Sequence, residues 1–368
     1  MKLLHFEKLK PLCPRCLRVS GQHFPLTVGA WLRGAHNDMM EGILLCSNPQ
    51  CLSEYPVIDG IPLILADLRA YISQNILSIV MRDDLSESIE SLIGDCCATS
   101  SPFYIRRHHL STYVYDHYAD KDPAEQKNAF VSSGSVLKLL YQGLSQIPKR
   151  ADGPVIDMGC SVGRTAFELA RTAEDIVLGV DMNFAMLRLA SHALRNGKIS
   201  YPRKRTGLVF DRREFPLCFE GSEKVDFWAC DICALPFADQ SFGLALCLNT
   251  LDCVHLPYDH MRETERILKS GGKAIFSTPY DWSESATPLE SWIGGHSQRS
   301  GSRGACEAML RTLLSKGEEN HSHQLKNLRI VSEINDVPWS VRIHERSVMQ
   351  YALHMLILEK TGIISKVP

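Results

Sequence analysis

Two sets of residues in this sequence have types and spacings that could do chemistry. The first is two cysteine knuckles, Cys13-Pro14-Arg15-Cys16 and, some thirty residues on, Cys46-Ser47-Asn48-Pro49-Gln50-Cys51. A proline inside each knuckle forces a turn, so Cys13, Cys16, Cys46 and Cys51 can converge tetrahedrally on one zinc ion. Four thiolates leave no open coordination position, so the metal's role would be structural. The second set is a series of carboxylates that each end an apolar run. Val155-Ile156-Asp157-Met158-Gly159-Cys160-Ser161-Val162-Gly163 reads as strand, glycine turn and helix start. That order turns backbone N–H groups and a helix N-terminus toward a ligand. About 20 residues further on, Ile176–Val180 ends in Asp181, placed to hold the ribose hydroxyls of a nucleotide. Asp231 closes a third run, and Asn249, Asp252 and His255 follow a fourth.

A scaffold must bring these groups together. From Pro154 onward, apolar runs alternate with helical patterns, which predicts strands at 154–159, 175–181, 225–231, 243–250 and 272–278. The helices between them fall at about 163–173, 183–196 and 258–269. This is an α/β arrangement with a parallel sheet and crossover helices, and ligands gather beyond the carboxyl ends of such strands. An insertion, Ile199–Lys224, carries Tyr201-Pro202-Arg203-Lys204-Arg205, read as a solvated turn that could also grip a carboxylate or phosphate. Upstream, residues 67–150 read as helical, with Leu68, Ile72, Ile76 and Val80 on one face. Their last part, Arg106–Tyr118, either closes over a bound ligand or docks as an amphipathic helix. Glu54–Leu65 reads as strand, Asp-Gly turn, strand. Three regions follow: a zinc ribbon at 1–66, a helical connecting or lid region at 67–150, and the α/β domain at 151–368.

Bulk properties narrow the function. Hydrophobic residues make up 45% of the 368, enough for a proper core, and the formal net charge of −2 supplies no basic field for nucleic acid. The first residues lack the apolar core of a signal peptide, and no stretch reaches the ~18 apolar residues of a membrane span. A cytoplasmic protein with no membrane partner is expected. Thirteen cysteines, an odd number with several inside apparent strands, read as reduced thiols plus one metal site. Cys230, Cys233 and Cys253 are read as packing, and His23 and His36 as surface loop residues.

The segments Asp157–Gly163, Gly179-Val180-Asp181 and Phe227-Trp228-Ala229-Cys230-Asp231 resemble the first three motifs of Rossmann-like S-adenosylmethionine (SAM) methyltransferases. The resemblance implies SAM held by Asp157, Gly159, Cys160 and Gly163 at the turn and by Asp181 and Met182 at the ribose. Asp231 and Ile232 would hold the adenine, and Asn249 would lie near the sulfonium. A nicotinamide dehydrogenase would share the first two motifs, but not an acid ending the third strand. The N-terminal segment, with its four cysteines and the run Tyr55-Pro56…Asp59-Gly60-Ile61-Pro62, resembles small zinc-ribbon proteins that activate RNA and release-factor methyltransferases.

Roughly residues 150–360 also resemble the C-terminal methyltransferase domain of ovothiol synthases. The likeness rests on Gly159–Ala170, Tyr201-Pro202, Asn249…Asp252, Pro279-Tyr280…Trp282, Trp292…Gly294-Gly295 and Pro338-Trp339…Arg342. It implies methylation of an imidazole nitrogen of a small thiohistidine-type amino acid. On that reading Asp252 orients the ring or takes its proton, with His255 and Tyr280 as further catalytic candidates. Tyr280, Trp282 and Trp292 would wall the acceptor site, and Arg342 would pair with the amino-acid carboxylate. The sequence departs from the family at Asp281, where threonine is usual, and lacks the iron-dependent sulfoxide synthase domain. Two other readings stand beside this one. An RNA methyltransferase with an N-terminal zinc module would use Arg106-Arg107 and Arg203-Lys204-Arg205. A non-catalytic scaffold would keep the SAM fold alone.

Overall fold

Short helices α1 (Leu3–Leu9) and α2 (Pro14–Ser20) open the chain. An antiparallel sheet of β1 (Leu26–Ala35), β2 (Asp38–Cys46), β3 (Glu54–Ile58) and β4 (Ile61–Pro62) follows them. The turn between β3 and β4 is Asp59-Gly60, both at positive φ (52° and 76°), which suits a tight hairpin. The computed structural model describes residues 1–125, 132–149, 151–315 and 325–362. The expected boundary at residue 150 and the segment 363–368 lie outside the described residues.

Four helices come next: α3 (Leu68–Val80), α4 (Glu87–Asp95), α5 (Pro102–Tyr118) and α6 (Ser135–Ser145). Their ends follow capping chemistry. The Asp67 side chain accepts from the Ala70 N–H at 3.0 Å, and Ser101 accepts from the Tyr104 N–H at 3.2 Å with Pro102 in the first helical position. The C-terminal carbonyls of α3 are taken by Arg188, which donates to Ser78 O (2.7 Å) and Ile79 O (2.6 Å).

The α/β part runs β5 (Val155–Met158), α7 (Arg164–Ala170), β6 (Val177–Asp181) and α8 (Phe184–Asn196). A hairpin of β7 (Lys198–Lys204) and β8 (Phe210–Pro216) leads to β9 (Val225–Ala229) and β10 (Phe242–Leu248). Then come α9 (Pro257–Ile267), β11 (Leu268–Thr278), α10 (Cys306–Leu314), β12 (Leu328–His344) and β13 (Ser347–Lys360). One seven-stranded sheet has the order β12-β13-β11-β10-β5-β6-β9. The five strands from β9 to β11 pair in parallel, while β13 enters antiparallel between β11 and β12.

Two features differ from the sequence reading. The 199–224 insertion contains the β7–β8 hairpin rather than only a solvated turn, because Ile199, Tyr201 and Phe215 bury into the core. Its basic run is neutralised within the chain. Arg203 pairs with Asp211 at 2.7 Å and with Glu125, and Arg205 bonds Glu345 at 2.6 Å. The long β12–β13 hairpin, which completes the sheet, went unrecognised as strands.

The central strands are buried on both faces, so both must be covered. Alternate residues divide cleanly between two cores. Val155, Val177, Phe227 and Leu246 pack under α5, α6, α7 and α8. Ile156, Leu178, Trp228 and Cys247 face the other way, against α9, α10 and the N-terminal module through Phe6, Leu9, Met39 and Tyr55. No helix lies between β9 and β10, and the N-terminal module fills that side. Its chain then joins the sheet itself: Leu63 bridges Ala229 in parallel, and the Ile64 N–H donates to Ala229 O at 3.0 Å.

The seam carries a buried carboxylate, Asp226. It accepts from the Lys2 N–H and Trp228 Nε1, both at 2.8 Å, and lies 3.5 Å from Arg195, which also grips Asp38 at 2.8 and 2.7 Å. Removing the guanidinium strands a buried charge, which costs about 3–5 kcal/mol. Arg195→Ala is therefore expected to lower the urea midpoint by that equivalent, while the conservative Arg195→Lys recovers part of it.

Candidate functional site

The turn after β5 is built by residues that only fit as they are. Gly159 sits at φ 79°, and a Cβ there would lie 2.2 Å from the Thr250 methyl. Gly163 sits at φ 85°, and its Cβ would meet the Phe227 ring at 2.5 Å. The loop is tied to the end of β6. Asp181 accepts from the Ser161 N–H and the Asn183 N–H, each at 2.8 Å. Asp157 accepts from Thr165 Oγ1 at 2.5 Å. Burial, with the Asp181 charge nearby, pushes the Asp157 carboxyl up to about 7, and burial also raises Asp181. Asp231, just past β9, accepts from the Cys233 N–H at 2.9 Å. Asn249 ends β10 at φ 54°, with its Oδ1 taking a 2.7 Å bond from Ser277 Oγ.

These carboxyl ends of strands open onto one cavity of about 730 Å³. Asp157, Gly159, Asp181 and Met182 line it, as do Asp231, Ile232, Asn249, Asp252 and His255. Cys160 and Gly163 shape the turn from behind. Cys160 is buried, and Gly163 packs beneath Phe227. Helix α5 supplies a further wall with Thr112, Tyr113, Asp116 and His117. Its C-terminus is held to the turn by two contacts: Tyr118 Oη donates to Val162 O at 2.7 Å, and Arg164 Nη1 donates to His117 O at 2.8 Å. The stretch Arg106–Tyr118 thus docks along its length and closes the cavity at its end.

On the side away from β6, the Asp252 carboxylate accepts from the Asp281 N–H at 2.7 Å and faces Thr278 Oγ1 at 3.4 Å. Burial, with the nearby Asp281 charge, pushes it up to about 6. The expected aromatic wall is elsewhere. Tyr280 has φ 55°, which turns its ring out of the cavity so that its hydroxyl lies 2.6 Å from His354 Nδ1. Trp282 stacks on Trp292 (5.9 Å, 17°) and bonds Cys306 Sγ, while Trp292 Nε1 donates to Thr287 O. Pro279 and Asp281, the neighbours of Tyr280, face the cavity instead. The aromatic residues that line it are Tyr113, Trp339 and Tyr351.

Arg342 is also displaced from its expected role. It lies over the Tyr115 ring at 4.7 Å and donates to Lys204 O at 2.7 Å. Side chains alternate along a strand, so with Trp339 and Val341 at the cavity, residue 342 points to the opposite face. Cys253, read as packing, lines the cavity. The residue itself is exposed, but the surrounding protein and then the Asp252 charge push its thiol up to about 12, which disfavours the thiolate at neutral pH.

The four N-terminal thiols form a second cluster. Their sulfurs all lie within 4.8 Å of one another, with Cys13–Cys51 at 3.9 Å and Cys16–Cys46 at 3.7 Å. A tetrahedron with 2.3 Å metal–sulfur arms has edges of about 3.8 Å, so the residues fit zinc. The Asn48 N–H points at Cys46 Sγ (3.4 Å), the kind of outer contact that steadies a thiolate ligand.

Comparison with known proteins agrees with this geometry. Residues 156–276 match the family model described as a methyltransferase domain. With the sheet order above, that stretch is a Rossmann-like, class I SAM-dependent methyltransferase domain. Methyltransferase GfsG of Streptomyces halstedii is 27% identical over 139 residues, 37% of this chain and 41% of that protein. The chain thus spans about two fifths of the length of the curated relative it matches. Among solved structures, the cyclase SpnF aligns over 74% of this chain and 96% of its own, at 15% identity and a TM-score of 0.41. A SAM-dependent methyltransferase from Methanosarcina mazei aligns over 57% and 93%, at 20% identity and a TM-score of 0.36. Among the described residues, no helix is long and apolar enough to cross a membrane.

A side chain at position 159 would collide with Thr250 in a backbone conformation that favours glycine. Gly159→Ala is expected to weaken SAM binding by about tenfold or more, read by isothermal titration.

Proposed function

We propose that the protein uses SAM to methylate a ring nitrogen of a small imidazole compound of the thiohistidine type. The observation that carries this reading is the convergence of Asp157, Asp181, Asp231 and Asp252 on one cavity. Asp181 suits the ribose hydroxyls, Asp231 and Ile232 the adenine edge, and the Gly159–Gly163 loop the methionine end. SAM supplies a methyl group on a sulfonium; the acceptor nitrogen's lone pair forms the new N–C bond as the S–C electrons return to sulfur. The enzyme's task is then alignment of that lone pair and custody of one proton.

Asp252 suits the proton. Raised by burial and still largely ionised near neutrality, it can accept the imidazole N–H or orient the ring through it. His255 lies in the same cavity and is a weaker candidate. The RNA reading draws no support from the basic residues offered for it. Arg203 and Arg205 are paired, Arg107 lies over Phe210 at 4.4 Å, and Arg106 donates to Met81 Sδ at 3.2 Å. The scaffold reading leaves a cavity of this size and polarity without a purpose. Zinc in the Cys13, Cys16, Cys46 and Cys51 cluster would brace the module that covers the sheet.

Radiolabelled methyl transfer to thiohistidine is expected to fall by ~10²–10⁴ in Asp252→Asn while SAM affinity holds. The wild-type rate should decline as pH drops through about 6, where the Asp252 carboxylate takes up its proton. Label appearing solely in ribosomal RNA would sink the small-molecule reading. Elemental analysis should find one zinc per chain, lost in Cys13→Ser together with thermal stability.

A further inference from the structure

Six aspartates line the cavity, and among the described residues no lysine or arginine does. Reading the cavity as a SAM site assigns Asp157, Asp181 and Asp231 to the cofactor, and leaves Asp116, Asp252 and Asp281 on the acceptor side. Resting on that reading, we propose that the acceptor enters as a small organic cation. Its positive charge is held by an arc of carboxylates and aromatic rings in the order Asp116, Trp339, Tyr351, Asp281, Asp252.

The arc is continuous. Trp339 Nε1 donates to Asp116 Oδ2 at 3.3 Å, and the Trp339 ring stacks on Tyr351 at 5.1 Å across the β12–β13 pair. Tyr351 Oη donates to Asp281 Oδ2 at 3.0 Å, and the Asp281 N–H donates to Asp252. Asp116 is fixed by the Ser135 and Val136 N–H groups at 2.6 and 3.1 Å; burial pushes its carboxyl up to about 6, and these bonds oppose that rise. His117 and His255 are the basic side chains on the wall. Burial beside Arg164 pushes His117 down to about 3, so it is neutral, and its Nδ1 has no protein partner.

An anionic group in this space would face three carboxylates with no cation to offset them. The guanidinium that might have taken an amino-acid carboxylate, Arg342, is on the far face of its strand. An ammonium meets the opposite situation, since indole and phenol rings attract cations and the carboxylates supply counter-charge. The acceptor class this selects is a heteroaromatic base whose ammonium arm enters the arc, while a carboxylate on the same molecule, as in thiohistidine, stays outside it. The unprotonated ring nitrogen takes the methyl, the proton on the other ring nitrogen passes to Asp252, and the arm stays charged throughout.

The test uses two probes that share one ring. Protein saturated with S-adenosylhomocysteine is titrated with histamine, whose arm is an ammonium, and with imidazole-4-acetate, whose arm is a carboxylate. Histamine is expected to bind at least tenfold more tightly. Trp339→Leu and Asp281→Asn are each expected to weaken it roughly tenfold while leaving S-adenosylhomocysteine affinity unchanged, a result that misfolding would not give. Equal or tighter binding of imidazole-4-acetate, or no binding of either probe at millimolar concentration, overturns the cation assignment and leaves the cofactor reading intact. Failure of S-adenosylhomocysteine itself to bind removes the cofactor reading, and this inference with it.

Discussion

A parallel sheet has two apolar faces, and everything else in this molecule depends on how the second one is covered. Over β6 and β9, where Leu178, Val180 and Trp228 project, the chain supplies no crossover helix. The N-terminal module takes that place, and its exit segment pairs with Ala229 at the sheet edge. An exposed edge beside an apolar face invites aggregation, so the module meets two requirements at once. It also fixes β9 close to Asp231, one of the groups that define the cavity. The four thiols therefore bear on the site through packing, without touching it.

The cavity is shaped by a second constraint, the crowding of carboxylates in a space where, among the described residues, no lysine or arginine offsets them. Each acid is managed locally. Asp181 is held by two backbone N–H groups, Asp157 by Thr165, Asp116 by the start of α6, and Asp252 by the Asp281 amide. Such bonds offset burial only in part, which is why Asp157 and Asp252 stay raised. A ligand bearing positive charge relieves the remainder. A sulfonium would do so on one side, and the proposed acceptor cation would do the same against the arc of Asp116, Trp339, Tyr351, Asp281 and Asp252 on the other.

What could be read from the sequence were the features written in adjacent residues. The strand, glycine turn and helix around Gly159–Gly163, the acids ending three apolar runs, and the paired cysteines all have local spacing as their signature. What could not be read depends on direction or on distant pairing. Tyr280 looked like a wall residue, but its positive φ, imposed at the end of β11, turns the ring away. Arg342 was one residue out of phase with Trp339 and Val341, and only the register of a hairpin fixes that phase. The hairpin itself was hidden because β12 is half-exposed and mixed in character. Tyr113 and Asp116 sat in a noticed helix, yet their role depends on Arg164 and Tyr118 anchoring that helix to the glycine turn.

The bridge between Leu63 and Ala229 also sets an order of events during synthesis. The module's strands emerge before the sheet, but the surface that meets Trp228 has nothing to rest on until β9 leaves the ribosome. At ~5–20 residues per second that wait is on the order of ten seconds. For that interval the nascent chain carries an uncovered apolar patch, a natural target for a chaperone. Strands β12 and β13 then seal the opposite edge, so the ligand cavity takes shape only after both edges of the sheet are in place.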